Sequence, residues 1–378
     1  MLIYMYIQVG QLLQNQSDIG MVLQTLFSLS FIVYLFYAQR IQAMSMLRAI
    51  EGTLRKVKEI RDKGHNTSIE EVKKASEDDF DPTPEVERFL EHFFIPPTSL
   101  DPAGIVGKMG QLLNVRENIF EAEVRSMAPK ASDSEINNLE NLLEASLALN
   151  VYHKVIRHFY LLGKKTMNIY VIMQIHMILP MIVREIEAYS RALQAFKEGI
   201  PIGDSVGPLV AARLMHGHKW SEIAKEMVVA EVPYNGRTLV ITKAKGPGGS
   251  VGKPGDAIEN ILNSRKGRKK VDAVIMVDAA GKLEGEPTGG IAEGVGAAIG
   301  GIGVEKHKIE EAIKKHNIPL YAIAIKQDIT HVVAPLVKEL YTACDTAVET
   351  VKRIVDRRTK EGDTVLVAGI GNTVGVAQ

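Results

Sequence analysis

Positions 19–37 are apolar apart from Gln24 and a few hydroxyl side chains, and they contain no charged residue. As a helix, this stretch would be about 28 Å long, roughly the thickness of the hydrocarbon core of a bilayer. Residues 1–18 contain no Lys or Arg, whereas a dense series of basic residues begins at Arg40. The pattern predicts an N-terminal membrane anchor over residues 1–38, a single-pass protein of the cell membrane with its C-terminal bulk in the cytoplasm. A cleaved signal peptide is the alternative.

Apolar positions with helical spacing continue beyond the predicted span, at Met44, Leu47, Ile50, Leu54, Val57 and Ile60. They predict a basic amphipathic helix, which would contact membrane lipid or a sister helix in a homo-oligomer, or would be a solvated helix packed on its own domain. Acidic residues and prolines then predict an exposed linker at 64–84. Residues 39–84 are therefore assigned to a juxtamembrane helix and a linker.

Residues 85–199 show helical periodicity and almost no β-type alternation, which predicts a helical domain. Its most apolar stretch, 167–183, is interrupted by Gln174, His176 and Pro180. We interpret this stretch as the buried central helix of a bundle, with His176 as a core residue, in preference to a second membrane span.

From residue 200 onward, short β-branched runs alternate with helical segments. Strands are predicted at 227–232, 238–242, 273–277, 320–325 and 364–368. Helices are predicted at 208–215, 256–263, 306–315 and 332–358. This order predicts an α/β domain over residues 200–378, with a mostly parallel sheet covered by helices on both faces.

Composition narrows the possible classes of protein. The 378 residues are 46% hydrophobic, which is ample for a folded core, and 45 basic residues balance 45 acidic ones. A balanced charge gives no reason to expect a nucleic-acid partner. Cys344 is the only cysteine, so an internal disulfide and a cysteine-based zinc site are both excluded. We expect Cys344 to be a small buried residue.

Two carboxylates lie at positions, a turn before a helix and the end of a strand, that suit catalysis or metal binding. Asp204 lies in a glycine-bounded turn directly before a predicted helix, and Asp278 ends the apolar strand 273–277. Two acids held together at strand ends can share a proton and activate water, or they can bind a divalent metal. Taken singly, Asp204 would be a helix cap and Asp278 a turn residue.

Glycine-rich stretches follow the predicted strands. Residues 245–256 superficially resemble a phosphate-binding loop, but Pro247 and Pro254 occupy positions where that motif needs a glycine and a hydroxyl. The run at 289–303 lacks a dinucleotide fingerprint, and we expect it to be a tightly packed backbone crossing. The third stretch, Gly369 to Asn372, ends a strand close to the C-terminus.

These segments together carry a resemblance to a known superfamily. Residues 203–210 resemble the acidic turn and first helix of the spore germination protease and hydrogenase maturation endopeptidase superfamily. Residues 246–252 are similar to its glycine-rich turn, 271–279 to its strand ending in Asp-Ala, and 294–303 with 318–323 to its later segments. The chain as a whole also resembles a membrane-anchored archaeal family described only as a domain of unknown function.

The resemblance implies that Asp204 and Asp278 form the functional pair, either as catalytic acids or as ligands of a divalent metal. The superfamily's first strand and its glycine-asparagine turn are missing before Asp204 and occur instead at 364–373. A circular permutation would explain this order and would bring Asn372 beside Asp204. The metal ligand histidine of the superfamily has no secure counterpart, and His307 is the nearest candidate.

The leading hypothesis is a membrane-anchored cytoplasmic hydrolase, a peptidase acting on a protein or peptide substrate. Polar and backbone groups of Gly248, Gly249, Lys253 and Asn372 would line its site. The alternative is a non-catalytic oligomeric scaffold or small-ligand-binding protein. A nucleotide-binding signalling protein is a third hypothesis, and it predicts that nucleotide binds the loop at 246–256.

Overall fold

A computed structural model describes residues 18–97, 104–265 and 270–378 of the chain. The chain divides into two compact units. The first comprises Met1–Lys58 and Tyr152–Val183, and the second comprises Glu59–Val151 and Arg184–Gln378. The predicted order, a helical region followed by an α/β domain, is confirmed. The first 17 residues of the predicted anchor lie outside the described residues.

The helical region begins with one long helix. Its described helices are α1 (Asp18–Ala75), α2 (Thr83–Phe89), α3 (Ile105–Met127), α4 (Asp133–Thr166) and α5 (Ile169–Glu198). The prediction of a linker from residue 64 is wrong, because α1 continues to Ala75. Ser68 and Val72 are buried there, and the hydroxyl groups of Ser68 and Ser146 lie 2.7 Å apart in a hydrogen bond. Tertiary packing of one face therefore keeps a polar segment helical.

In the first unit, α1 and α5 expose large apolar surfaces. Among the described residues, these two helices are long and apolar enough to cross a membrane. By length and composition, an N-terminal apolar helix such as α1 suits a membrane anchor or a signal sequence, and the core helix of a soluble protein meets the same criterion. The interpretation of 167–183 as a fully buried helix is wrong. Ile172 and Leu179 are buried, but Tyr170 is 71% exposed and Met177 is 72% exposed, because only one face of α5 is covered.

The α/β domain contains a seven-stranded sheet in the order β1-β2-β3-β7-β4-β6-β5. Its strands are β1 (Trp220–Ala224), β2 (Met227–Tyr234), β3 (Arg237–Ala244), β4 (Ala273–Gly281), β5 (Ile291–Val295), β6 (Leu320–Gln327) and β7 (Thr364–Gly369). The central strands β3, β7, β4 and β6 are parallel, while β1, β2 and β5 pair antiparallel at the two sides. The sheet is therefore mixed around a parallel centre. The sequence did not predict β1 and β5, which are short and largely exposed.

Helices cover both faces of this sheet, as predicted. They are α6 (Val206–Met215), α7 (Pro254–Ser264), α8 (Val304–His316) and α9 (Lys338–Arg358). Val365 and Val367 of β7 belong to the core beneath α6 and α9, whereas Leu366 and Ala368 belong to the core beneath α7 and α8. The two-residue period of the strand thus supplies both cores. Cys344 is fully buried in the first core, as expected.

A close glycine contact sets the position of α6 on the sheet. A Cβ atom on Gly207 would lie 2.1 Å from the carbonyl oxygen of Ile370 and 2.5 Å from that of Val277. A Cβ atom on Gly369 would lie 2.3 Å from the carbonyl oxygen of Gly207. The missing side chains let the start of α6 contact the carboxyl ends of β4 and β7 directly.

Lys243 is fully buried in β3, and its ammonium group donates hydrogen bonds to the carbonyl oxygens of Ala244 and Val376. Burial lowers the pKa of Lys243 from 10.5 to about 8.

Between these two pH values the unfolded chain binds one proton more than the folded chain, so stability rises with pH. We expect unfolding titrations of the full chain to show a rise of about 1.4 kcal/mol per pH unit in this window. Lys243→Met should remove that rise, and an unchanged slope would contradict the assignment.

Candidate active site

Asp204 is held in a short 3-10 turn, Gly203–Ser205, immediately before α6. On one side, its backbone N–H donates to the carbonyl oxygen of Val332 at 2.8 Å. On the other side, its carboxylate Oδ2 accepts a 2.8 Å hydrogen bond from the backbone N–H of Asn372. Gly371 makes this approach possible, since its φ is 131° and a Cβ atom there would lie 2.0 Å from the carbonyl oxygen of Asp204. The C-terminal turn and the acidic turn are therefore neighbours, as the proposed permutation requires.

The segment that supports Asp204 was predicted as the start of the last helix. The structure instead has a short 3-10 turn at Ile329–His331, and α9 begins only at Lys338. Between them, Pro335 pairs with Ile202 in an isolated β-bridge. This extended segment offers its backbone carbonyl groups to the acidic turn, which a helix could not do.

Asp278 lies near the carboxyl end of the central strand β4 and is only 7% exposed. Its Oδ1 accepts a 2.7 Å hydrogen bond from the backbone N–H of Ala279. Both acids therefore lie at the carboxyl edge of the parallel strands, where ligand sites of α/β sheets are found.

The two carboxyl groups interact electrostatically. Burial and, secondly, the negative charge of Asp204 raise the pKa of Asp278, the N–H groups of Ala279 and Gly300 oppose them, and the resulting pKa is about 8. Burial also raises the pKa of Asp204, against the opposing hydrogen bond from Asn372. Both acids have N–H donors that stabilise the anion, but the charge of Asp204 additionally raises the pKa of Asp278, so we take Asp278 as the acid that keeps its proton to higher pH.

Both acids line a cleft of about 580 Å³. The later part of the glycine run, residues 299–303, forms one wall. The prediction of a tight backbone crossing is confirmed at Gly289, where a Cβ atom would lie 2.9 Å from the carbonyl oxygen of Glu339, and is wrong for the later glycines. Gly300, Gly301 and Gly303 have open space where a Cβ atom would be, and Ile302 is 60% exposed. The glycines here form an open loop beside β5, so their role is to line the cleft with backbone.

The protein groups around the acids offer few ligands for a metal ion. No three His, Cys, Asp or Glu side chains of residues 18–97, 104–265 and 270–378 are grouped as a metal ion would require. His307 is exposed on α8 and is not among the residues that line the cleft. Two carboxylates alone fit a shared proton better than a resident metal held by protein ligands.

Two family models match the chain. The N-terminal domain of the protein of unknown function DUF1512 matches residues 24–199, and the DUF1512 C-terminal domain matches residues 202–377. The chain carries both domains of the DUF1512 family. Neither a curated protein nor a solved structure matches it. The acids belong to the C-terminal DUF1512 domain, whose match begins two residues before Asp204.

The N-terminal DUF1512 domain also contributes to this region, through three asparagines of α4. Asn138 accepts a 2.9 Å hydrogen bond from the backbone N–H of Gly249, and Asn141 donates to the carbonyl oxygen of the same residue at 2.6 Å. The Oδ1 atom of Asn141 also accepts from the side chain of Asn372 at 3.0 Å. These residues were not predicted from the sequence, although it places three amides within five positions of one helix, at 137, 138 and 141.

The glycine-rich loop at 245–256 is closed against α4 and is not arranged as a phosphate cradle. A Cβ atom on Gly248 would lie 2.8 Å from the Cα of Ser134. Lys253 forms a 2.6 Å ion pair with Glu117 of α3, and the N–H of Gly255 at the start of α7 donates to the carboxylate of Glu305. A carboxylate already occupies the helix end that a phosphate would need, which argues against the nucleotide hypothesis.

Proposed function

We propose that this DUF1512 chain is a membrane-anchored hydrolase, a peptidase in which Asp204 and Asp278 act as an acid pair. The observation that carries the proposal is the juxtaposition of two carboxyl groups with raised pKa values in one cleft, at the carboxyl edge of the sheet. The apolar half of α1 would anchor the chain. The basic residues that follow it favour a cytoplasmic site.

The environments of the two acids assign their roles. Asp204, with the N–H of Asn372 stabilising its anion, accepts a proton from water as the water attacks the scissile carbonyl carbon. Asp278, which keeps its proton to about pH 8, donates that proton to the carbonyl oxygen. Collapse of the resulting gem-diol returns one proton to Asp278, and Asp204 delivers its proton to the leaving amine. The reaction consumes one water and leaves both acids as they began.

The full chain in detergent should cleave a mixed peptide library, with a rate that falls above about pH 8 as Asp278 loses its proton. We expect Asp204→Asn to lower the rate at least about 100-fold, since positioned proton transfer contributes that much or more. Mass spectrometry of the products, with and without chelator and added Mg²⁺ or Mn²⁺, provides the measurement. A folded wild type that is inactive under all these conditions would contradict the proposal. Activity that requires added metal would contradict the shared-proton mechanism and favour a metal-dependent one.

A homo-oligomeric scaffold is the second candidate, because the exposed apolar face of α5 includes Tyr170, Met177 and Met181. Such a face is normally covered by lipid or by another protein surface. The result that favours this candidate is a defined oligomer in detergent that shows no hydrolysis in the assay above.

A further inference from the structure

A second cavity, of about 260 Å³, adjoins the aspartate cleft. Glu117, Val251 and Gly252 line both cavities. Asn372 lines the second cavity with its side chain, while its backbone N–H binds Asp204. A molecule bound across the acid pair would therefore reach directly into this second space, which we call the polar cavity.

The cationic side chains of the polar cavity are already paired. Arg116 contacts Glu144 at 2.6 Å, Lys225 contacts Glu121 at 3.1 Å, and Lys253 contacts Glu117 at 2.6 Å. Five glutamates and three cations line the cavity, so two glutamates, Glu140 and Glu226, have no cationic partner among these residues. The lining thus carries an excess of negative charge.

The two remaining glutamates differ in their partners. Glu226 accepts hydrogen bonds from the Asn137 amide at 3.1 Å and from the Ser250 hydroxyl at 2.5 Å. Glu140 has a buried Oε1 atom that accepts no hydrogen bond from any residue the structure describes. Burial, with the charges of Glu121, Glu226 and Glu144, raises the pKa of Glu140 to about 8. Glu140 therefore keeps a proton at neutral pH when nothing is bound, because a buried carboxylate without a donor is costly, and a bound cation with N–H donors would stabilise the carboxylate and release that proton.

An organic cation suits this cavity better than a phosphate or a bare metal ion. Excess negative charge repels an anion, and the described residues contain no group of three acidic, histidine or cysteine side chains arranged for a metal. An ammonium or guanidinium group, in contrast, supplies both a positive charge and several N–H donors to unpaired carboxylate oxygens.

We infer that the polar cavity is a specificity subsite that holds the cationic side chain of a lysine or arginine in the peptide substrate, with Glu140 as its main partner. This inference rests on the proposed peptidase function and names the class of substrate. The bound cation donates to the Glu140 carboxylate, and the remainder of the peptide extends past Glu117 and Gly252 into the aspartate cleft. A free amine of the same chemistry would fit the same place.

Binding tests the subsite without requiring catalysis. Full-length chain carrying Asp204→Asn should bind Nα-acetyl-lysine amide and Nα-acetyl-arginine amide, whose side chains are charged, in calorimetry. It should bind Nα-acetyl-norleucine amide, whose side chain lacks the charge, at least 10-fold more weakly. Adding Glu140→Gln should weaken binding of the two cationic probes at least 10-fold. Glu187→Gln, at an exposed position of α5, removes the same charge elsewhere and should leave binding unchanged. Equal binding of all three probes, or an equal effect of both glutamine variants, would overturn the subsite.

Cleavage separates this inference from the proposed function. An active wild type should prefer peptides containing lysine or arginine over the same peptides containing norleucine, and Glu140→Gln should abolish the preference. Cation binding that depends on Glu140, without any cleavage, would contradict the peptidase and leave the cation site standing. Cleavage without a preference that depends on Glu140 would contradict the subsite alone. Binding of Mn²⁺ in place of the amines would replace the organic cation by a metal.

Discussion

Replacing Asp278 by Asn is expected to stop turnover and, at the same time, to stabilise the folded chain at alkaline pH. Asn cannot donate the proton that the scissile carbonyl oxygen needs, so we expect the rate to fall by a factor on the order of 1,000. The same substitution removes a carboxyl group that is only 7% exposed and lies close to the charge of Asp204. Loss of activity and gain of stability would therefore occur in one variant, as is common for residues of active sites.

The pH window of the stability effect follows from the pKa of Asp278. Its folded value is about 8 and its ordinary value is 3.8, so between these values the folded chain holds a proton that the unfolded chain has lost. This carboxyl group's contribution is complete below pH 3.8 and is lost as the pH rises to 8, by about 1.4 kcal/mol per pH unit. Asn resembles the protonated acid and carries no such penalty, so its advantage over the wild type grows until about pH 8.

Unfolding of the full chain in detergent at pH 5 and pH 9 measures this difference. Asp79→Asn, at an exposed position of the second unit, is the matched control and should unfold like the wild type at both pH values. A variant that is less stable than the wild type at pH 9 would show that the ionised form of Asp278 is well stabilised in the folded chain, so that its pKa is not raised. That result would also remove the proton donor from the proposed mechanism.

Gly207→Ala is expected to give the largest structural effect of a single added methyl group. The new Cβ atom would lie 2.1 Å from one backbone oxygen and 2.5 Å from another, and neither can rotate away as a side chain could. α6 must then shift away from β4 and β7. We expect a loss of at least about 3 kcal/mol of stability, the upper range for overpacking, together with loss of activity, since Asp204 lies directly before this helix.

The matched control is Gly107→Ala in α3, because that glycine also lies in a helix and has open space where the methyl group would go. Helix propensity predicts no loss there and a gain of about 0.5–1 kcal/mol. Thermal unfolding of both variants and the wild type provides the comparison. Equal stabilities for the two alanine variants would show that α6 does not depend on the glycine contact.

The central strands and two of the helices could be predicted from the sequence, because each of these segments has a clear hydrophobic period and clear boundary residues. Strands β3, β4, β6 and β7 are short β-branched runs, and helices α7 and α8 are bounded by glycine or proline. The edge strand β5 was missed, since Gly294 and exposed positions give it no alternating pattern. The end of α1 was also missed, because its polar residues are kept helical by packing against α4 and not by their own periodicity.

The residues of the candidate site also fall into two groups, those that the sequence indicated and those that only the packing revealed. The residue types and their positions in turns and at strand ends singled out Asp204, Asp278 and Asn372 in the sequence. Their catalytic or ligand roles stay predictions. Glu140 and Asn141 were not singled out, because a glutamate or an asparagine on a helix resembles any solvated surface residue until the packing around it is known.

The sequence by itself therefore determined the order of the elements, the apolar N-terminal helix and the two acids at glycine-bounded or strand-end positions. Asn372 lies 168 positions after Asp204 in the chain. Only the tertiary structure decided that its backbone N–H donates to the carboxylate of Asp204. It also decided that α3 lines both the cleft and the polar cavity, and that α4 lines the polar cavity. The physical reason is that local patterns fix backbone conformation, whereas burial, pKa values and the pairing of charges depend on neighbours that are distant in sequence.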